Sequence, residues 1–122
     1  MGTLYTAQEI VTIGIQIKKN GRDYYDLASK AVKAERVRQL FEFLSSDEQL
    51  HIGVFEGILG RIDESPRAHG HYPSEYGDYL QALVEGNAFA SAKQGSELAR
   101  TIRNDKQAVE CALGYEKDAI LF

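Results

Sequence analysis

Residues 40–55 read LFEFLSSDEQLHIGVF. Leu40, Phe41 and Leu44 follow the three- and four-residue steps of one helix face, preceded by Val37, and the steps resume at Phe55, Ile58 and Leu59. Carried through the gap, the same steps land on Glu48 and His51. A carboxylate left unpaired in a core costs several kcal/mol, so something must compensate it. The stretch therefore predicts a helix over about 34–60 whose buried face carries a glutamate and a histidine one turn apart.

On the N-terminal side, Thr6-Ala-Gln-Glu9 has the form of a capping box, which gives Glu9 a structural role. Ile10, Ile13, Ile17, Tyr24, Leu27 and Ala31 then recur at helical spacing and predict a helix over about 7–31. Gly14 and Gly21 lie near that stripe. Glycine weakens a helix by about 1 kcal/mol relative to alanine, so two of them suggest close helix packing.

On the C-terminal side, Pro66, Gly70 and Pro73 mark an irregular connection from Arg61 to about Tyr76. Short helices are expected at 78–84 and at 96–102, the latter with Ser96 as N-cap. A third long helix is expected over 104–122, with Val109, Ala112, Leu113, Ala119 and Ile120 as its apolar stripe. Position 116 belongs to that stripe, and it holds a glutamate. Glu48, His51 and Glu116 are therefore candidate metal ligands from two helices, since one divalent cation would satisfy all three. The spacing does not choose among iron, zinc and manganese. His69 and His71 are read as surface-loop histidines.

Composition narrows the function class. The 122 residues suit one domain and carry a net charge of −4 with no concentrated basic patch, which argues against nucleic acid as a partner. Cys111 is the only cysteine, so neither a disulfide nor a Cys-x-x-Cys metal or redox site is available within the chain. A reduced, cytoplasmic setting is expected. No apolar run approaches the roughly 20 residues of a membrane span.

The segments KNGRDYYDLA (19–28), LFEFL (40–44) with EQLH (48–51), and ALGYEKDAILF (112–122) resemble the rubrerythrin-related branch of the ferritin-like di-iron superfamily. In that superfamily two helices each give a Glu and two others each give a Glu-x-x-His. The resemblance covers nearly the whole chain and implies an all-α, ferritin-like bundle. It also implies a non-haem iron site that reduces peroxide or activates oxygen. With no rubredoxin-type cysteines, the electrons would come from a separate donor protein. Tyr24, Tyr25 and Tyr115 fall near the level of the site, expected mainly as packing residues, with donation of hydrogen bonds or electrons as the alternative.

The family's helix-pair repeat survives as a trace. Offset by 98 residues, Lys18–Tyr24 aligns with Glu116–Phe122, pairing Lys19 with Lys117 and Tyr24 with Phe122. Two departures follow. The ligand glutamate of the first helix falls on Lys18, an ammonium that donates and cannot bridge metals. The second Glu-x-x-His would fall at 146–149, past Phe122. The chain thus supplies three of six implied ligands. The expectation is a C-terminally truncated domain, or a homodimer that completes the bundle across a two-fold axis. Set against the iron protein is a metal-free helical scaffold or interaction protein, with Lys18 pairing with a glutamate in place of the metal.

Overall fold

The computed structural model describes residues 6–62 and 94–121, the side chains of Ile120 and Leu121 excepted. Four helices occur among the described residues and no strands: α1 (Ala7–Ala31), α2 (Glu35–Arg61), α3 (Gln94–Arg100) and α4 (Asp105–Leu121). The three long helices lie within a residue of their predicted bounds. The helix expected at 78–84, and His69 and His71, fall outside the described residues.

α1 begins as its sequence predicts. The Thr6 hydroxyl accepts from the Glu9 amide at 3.0 Å, and the Glu9 carboxylate accepts from the Thr6 amide at 3.1 Å. The α1–α2 turn is only Val32–Ala34, so the two helices run back along each other. Their register is pinned by Arg22, whose guanidinium donates to Gln49 Oε1 at 2.8 Å, and by Ser45, whose hydroxyl donates to the Arg22 carbonyl at 3.3 Å.

α3 starts two residues earlier than expected, so Ser96 lies inside the helix and is not its cap. The start is held instead by Asn20 of α1, whose buried side chain accepts from the Gly95 amide at 3.3 Å. A Cβ at Gly95 would overlap the Asn20 carbonyl, so this helix meets α1 backbone to backbone. α4 is capped by Asn104, whose side chain accepts from the Gln107 amide at 2.8 Å. The Asp105 carboxylate accepts from the Lys33 and Ala34 amides at 2.9 and 2.8 Å, tying the α1–α2 turn to the start of α4.

The core is aromatic and off-centre from the predicted stripes. Tyr24, Tyr25, Phe41 and Tyr115 are fully buried, with Ile17, Ala28, Ala108 and Ala112 around them. Burial of each ring is worth about 1.5–3 kcal/mol, and the Tyr25 ring meets those of Phe41 and Tyr115 edge-on at 5.4 and 6.0 Å. Three stripe positions are corrected: Leu40 and Leu113 are 49% and 65% exposed, and Ala31 is exposed. The cause is rotation of each face toward its actual neighbour. α2 turns Phe41, Glu48 and Ile52 inward, and α4 turns Ala108, Ala112 and Tyr115 inward.

Candidate functional site: a buried carboxylate cluster

Glu48 is 2% exposed, so the sequence reading of a buried acid on α2 holds. His51 does not share its burial. The histidine side chain is 44% exposed, and Ile52 takes the core position one turn beyond Glu48. Four residues advance a helix by about 400°, three by about 300°, and α1 lies on the side reached by the longer step.

Three side chains converge on Glu48 from three directions. Tyr115 of α4 donates its hydroxyl to Oε2. Lys18 of α1 brings Nζ to 3.4 Å from Oε1. His51 Nδ1 lies 3.7 Å from the same oxygen, beyond hydrogen-bonding distance, and is buried with no hydrogen-bond partner. His51 Nε2 stands 3.7 Å from Asp47 Oδ2, at the outer edge of the cluster.

Glu116 is half-buried on α4, and its Oε1 accepts from the Tyr25 hydroxyl at 2.6 Å. The two glutamates are thus linked through a tyrosine pair, Tyr115 on one and Tyr25 on the other, whose rings touch edge-on. Both phenols are pushed far above their usual range, first by burial and then by the carboxylates beside them, so they stay protonated and can donate to those carboxylates. Burial also pushes the Glu48 carboxyl up, and Glu116 adds repulsion. Tyr115, Lys18 and His51 pull in the opposite direction.

Gly21 makes the arrangement possible. A Cβ there would lie 2.5 Å from the Tyr115 ring and hydroxyl. Only glycine lets the phenol slide under α1 to reach Glu48, which accounts for one of the two glycines flagged in the sequence. Beside the cluster, an apolar cavity of about 250 Å³ is lined by Ile10, Gly14, Ile17, Phe55 and Ile58, and by Lys18. The Lys18 chain is 17% exposed, so its ion pair with Glu48 sits in a partly dry setting where charges interact more strongly than at an open surface.

The sequence-predicted trio is therefore brought to one region but not into one coordination group. Among the described residues, no three His, Cys, Asp or Glu side chains stand as a metal-holding cluster. Each glutamate has an oxygen engaged by a tyrosine, and the Lys18 ammonium adds a cation beside Glu48. As built, the donor set fits a pair of metal ions poorly. The sequence put packing first for Tyr25 and Tyr115 and hydrogen-bond donation second; in the structure they do both. The signal was present for Tyr115, which continues the steps Ala108, Ala112, Tyr115, Ala119.

No family model, curated protein or solved structure matches the chain. No helix among the described residues is long and apolar enough to cross a membrane.

Proposed function

We propose that this chain is a rubrerythrin-related, ferritin-like helical protein in which the Lys18 ammonium does the electrostatic work of a metal ion. On this reading it is a metal-poor scaffold or interaction protein descended from a di-iron family. The observation that carries it is the Lys18 Nζ contact with Glu48 Oε1 at 3.4 Å. One positive charge offsets one of the two clustered negative charges, and the Tyr115 and Tyr25 hydroxyls satisfy oxygens that would otherwise need a ligand. An opposite charge and hydrogen-bond donors of this kind favour the ionised carboxylates and so reduce the need for an ion.

A second reading is favoured by one atom. His51 Nδ1 is buried, unpartnered and adjacent to Glu48, which suits a lone pair waiting for a cation. In that case Glu48, His51 and Glu116 would hold iron, with zinc or manganese as substitutes. The metal would supply redox chemistry toward peroxide or oxygen, with electrons from a separate protein donor. The chain's own part would be to orient the carboxylates through Tyr25 and Tyr115 and to keep the apolar side dry.

Metal analysis of the purified protein separates the two. The scaffold reading predicts well under one iron per chain and an unfolding temperature that does not move with a chelator. Lys18→Glu should raise iron loading, because it restores a carboxylate where the ammonium repels cations. Wild-type protein that purifies with stoichiometric iron and loses stability on chelation would overturn the scaffold reading in favour of the second.

A further inference from the structure

The apolar cavity beside the carboxylate cluster has walls from three helices. Gly14 and Ile17 of α1 are its buried part, while Phe55 and Ile58 of α2 and Ala119 of α4 are half-buried around it. These last three keep apolar surface that a ligand could take out of water, which is the usual driving force for filling such a space. The volume is about 250 Å³. An apolar cavity of about 150 Å³ admits one benzene ring, so this one has room for about ten non-hydrogen atoms. Among the described residues, Lys18 is the one polar side chain on the wall. A water molecule is held by roughly two to four polar partners, so the cavity suits an apolar body better than water. Apolar walls with a single polar group to fix orientation are the ordinary composition of a small-molecule site.

The polar end of the ligand follows from the charges around Lys18. Its Nζ stands 3.4 Å from Glu48 Oε1, which takes one of the ammonium donors and leaves others for an oxygen in the cavity. Charge then decides which oxygen. Glu116 already repels Glu48, so a ligand carboxylate would bring a third anion to a cluster with one ammonium. A ligand ammonium would meet Lys18 itself. Both penalties are larger in a partly dry setting than in open solvent. A neutral oxygen accepts from Lys18 and incurs neither. We propose that the cavity binds an uncharged aliphatic molecule of about eight carbons ending in one oxygen, such as a primary alcohol. Its chain lies against Ile17, Phe55 and Ile58, and its oxygen accepts from Lys18 Nζ. None of Glu48, His51 and Glu116 lines the cavity, so this inference is separate from whether metal binds.

Calorimetric titration of the full chain with straight-chain primary alcohols is the test. One octanol should bind per chain. From pentanol to octanol the affinity should rise about fourfold per methylene, then level off once the cavity is full. Octanoate and octylammonium should each bind at least tenfold more weakly than octanol. Ile58→Trp, which fills the cavity, should weaken octanol at least tenfold with helical content unchanged. Should that variant fail to fold, Ala119→Leu fills the same space from α4. Leu50→Ala removes an exposed leucine outside the cavity and should change nothing. Lys18→Met should weaken octanol about tenfold and leave toluene unaffected, because it removes a hydrogen bond from a charged donor and keeps the apolar contact. The proposal is overturned if octanol does not saturate, if affinity keeps rising past decanol, or if octanoate binds as tightly as octanol. It is also overturned if a folded cavity-filling variant, or Lys18→Met, binds octanol like the wild type.

Discussion

Gly21 decides whether Tyr115 can reach Glu48. Placing alanine inside an exposed helix gains about 0.5–1 kcal/mol, but here the added methyl overlaps a buried ring, and overpacking costs about 1–3 kcal/mol. The second effect wins. Gly21→Ala should lower the unfolding free energy by about 1–2 kcal/mol in denaturant titration, and the penalty should shrink in a Tyr115→Ala background. Gly114, whose Cβ would meet nothing, is the contrast: Gly114→Ala should stabilise by about 0.5–1 kcal/mol. Glu48 makes a second residue-scale prediction. Its carboxyl is raised by burial, so the folded protein holds the proton more tightly than the unfolded chain does. This contribution to stability is fully present below the ordinary carboxylate range and is lost as pH rises through the raised value. Glu48→Gln removes that dependence. Thermal melts from pH 4 to pH 7 should therefore show the variant gaining on the wild type as pH rises; a constant difference would contradict the assignment.

At the scale of elements, α4 is fastened to the rest by its first residue. Asp105 accepts from two backbone amides of the α1–α2 turn, and those bonds hold its carboxyl below the usual range. The sign is opposite to that of Glu48. The stabilisation is present above the ordinary carboxylate range and is lost as pH falls through the depressed value. Asp105→Ala should lower the unfolding temperature at pH 7, with less effect at pH 3. It should also speed hydrogen exchange at the Lys33 and Ala34 amides. Helix bounds at this scale were legible in the sequence. The Thr6–Glu9 capping box and the three-and-four spacing are local features that act before any tertiary contact forms. The start of α3 was not legible, because Asn20, 75 residues away, supplies the anchor that Ser96 seemed to offer.

Across the whole molecule, the site is a compromise among charges that three helices bring together. Lys18 comes from α1, Glu48 from α2, Tyr115 and Glu116 from α4. If Lys18 stabilises the folded state by pairing with Glu48, then Lys18→Met should cost more at neutral pH than at pH 4, where Glu48 is protonated. Denaturant titration at both pH values measures the difference. Removing one partner of a pair that is mostly out of water costs more than the pair contributes, on the order of 3 kcal/mol when burial is complete. The 17% exposure of Lys18 reduces that toward about 1–2 kcal/mol.

The sequence by itself determined the helices and marked Glu48 as a buried acid, because periodicity and capping are read within a few residues of chain. Only the tertiary structure decided what surrounds that acid. The angle at which α2 packs on α1 carried Ile52 inward and left His51 at the edge. The missing Cβ of Gly21 admitted the Tyr115 hydroxyl, and Tyr25 took up Glu116. These outcomes depend on helix rotation and on distances between residues up to 91 positions apart, which no local pattern encodes.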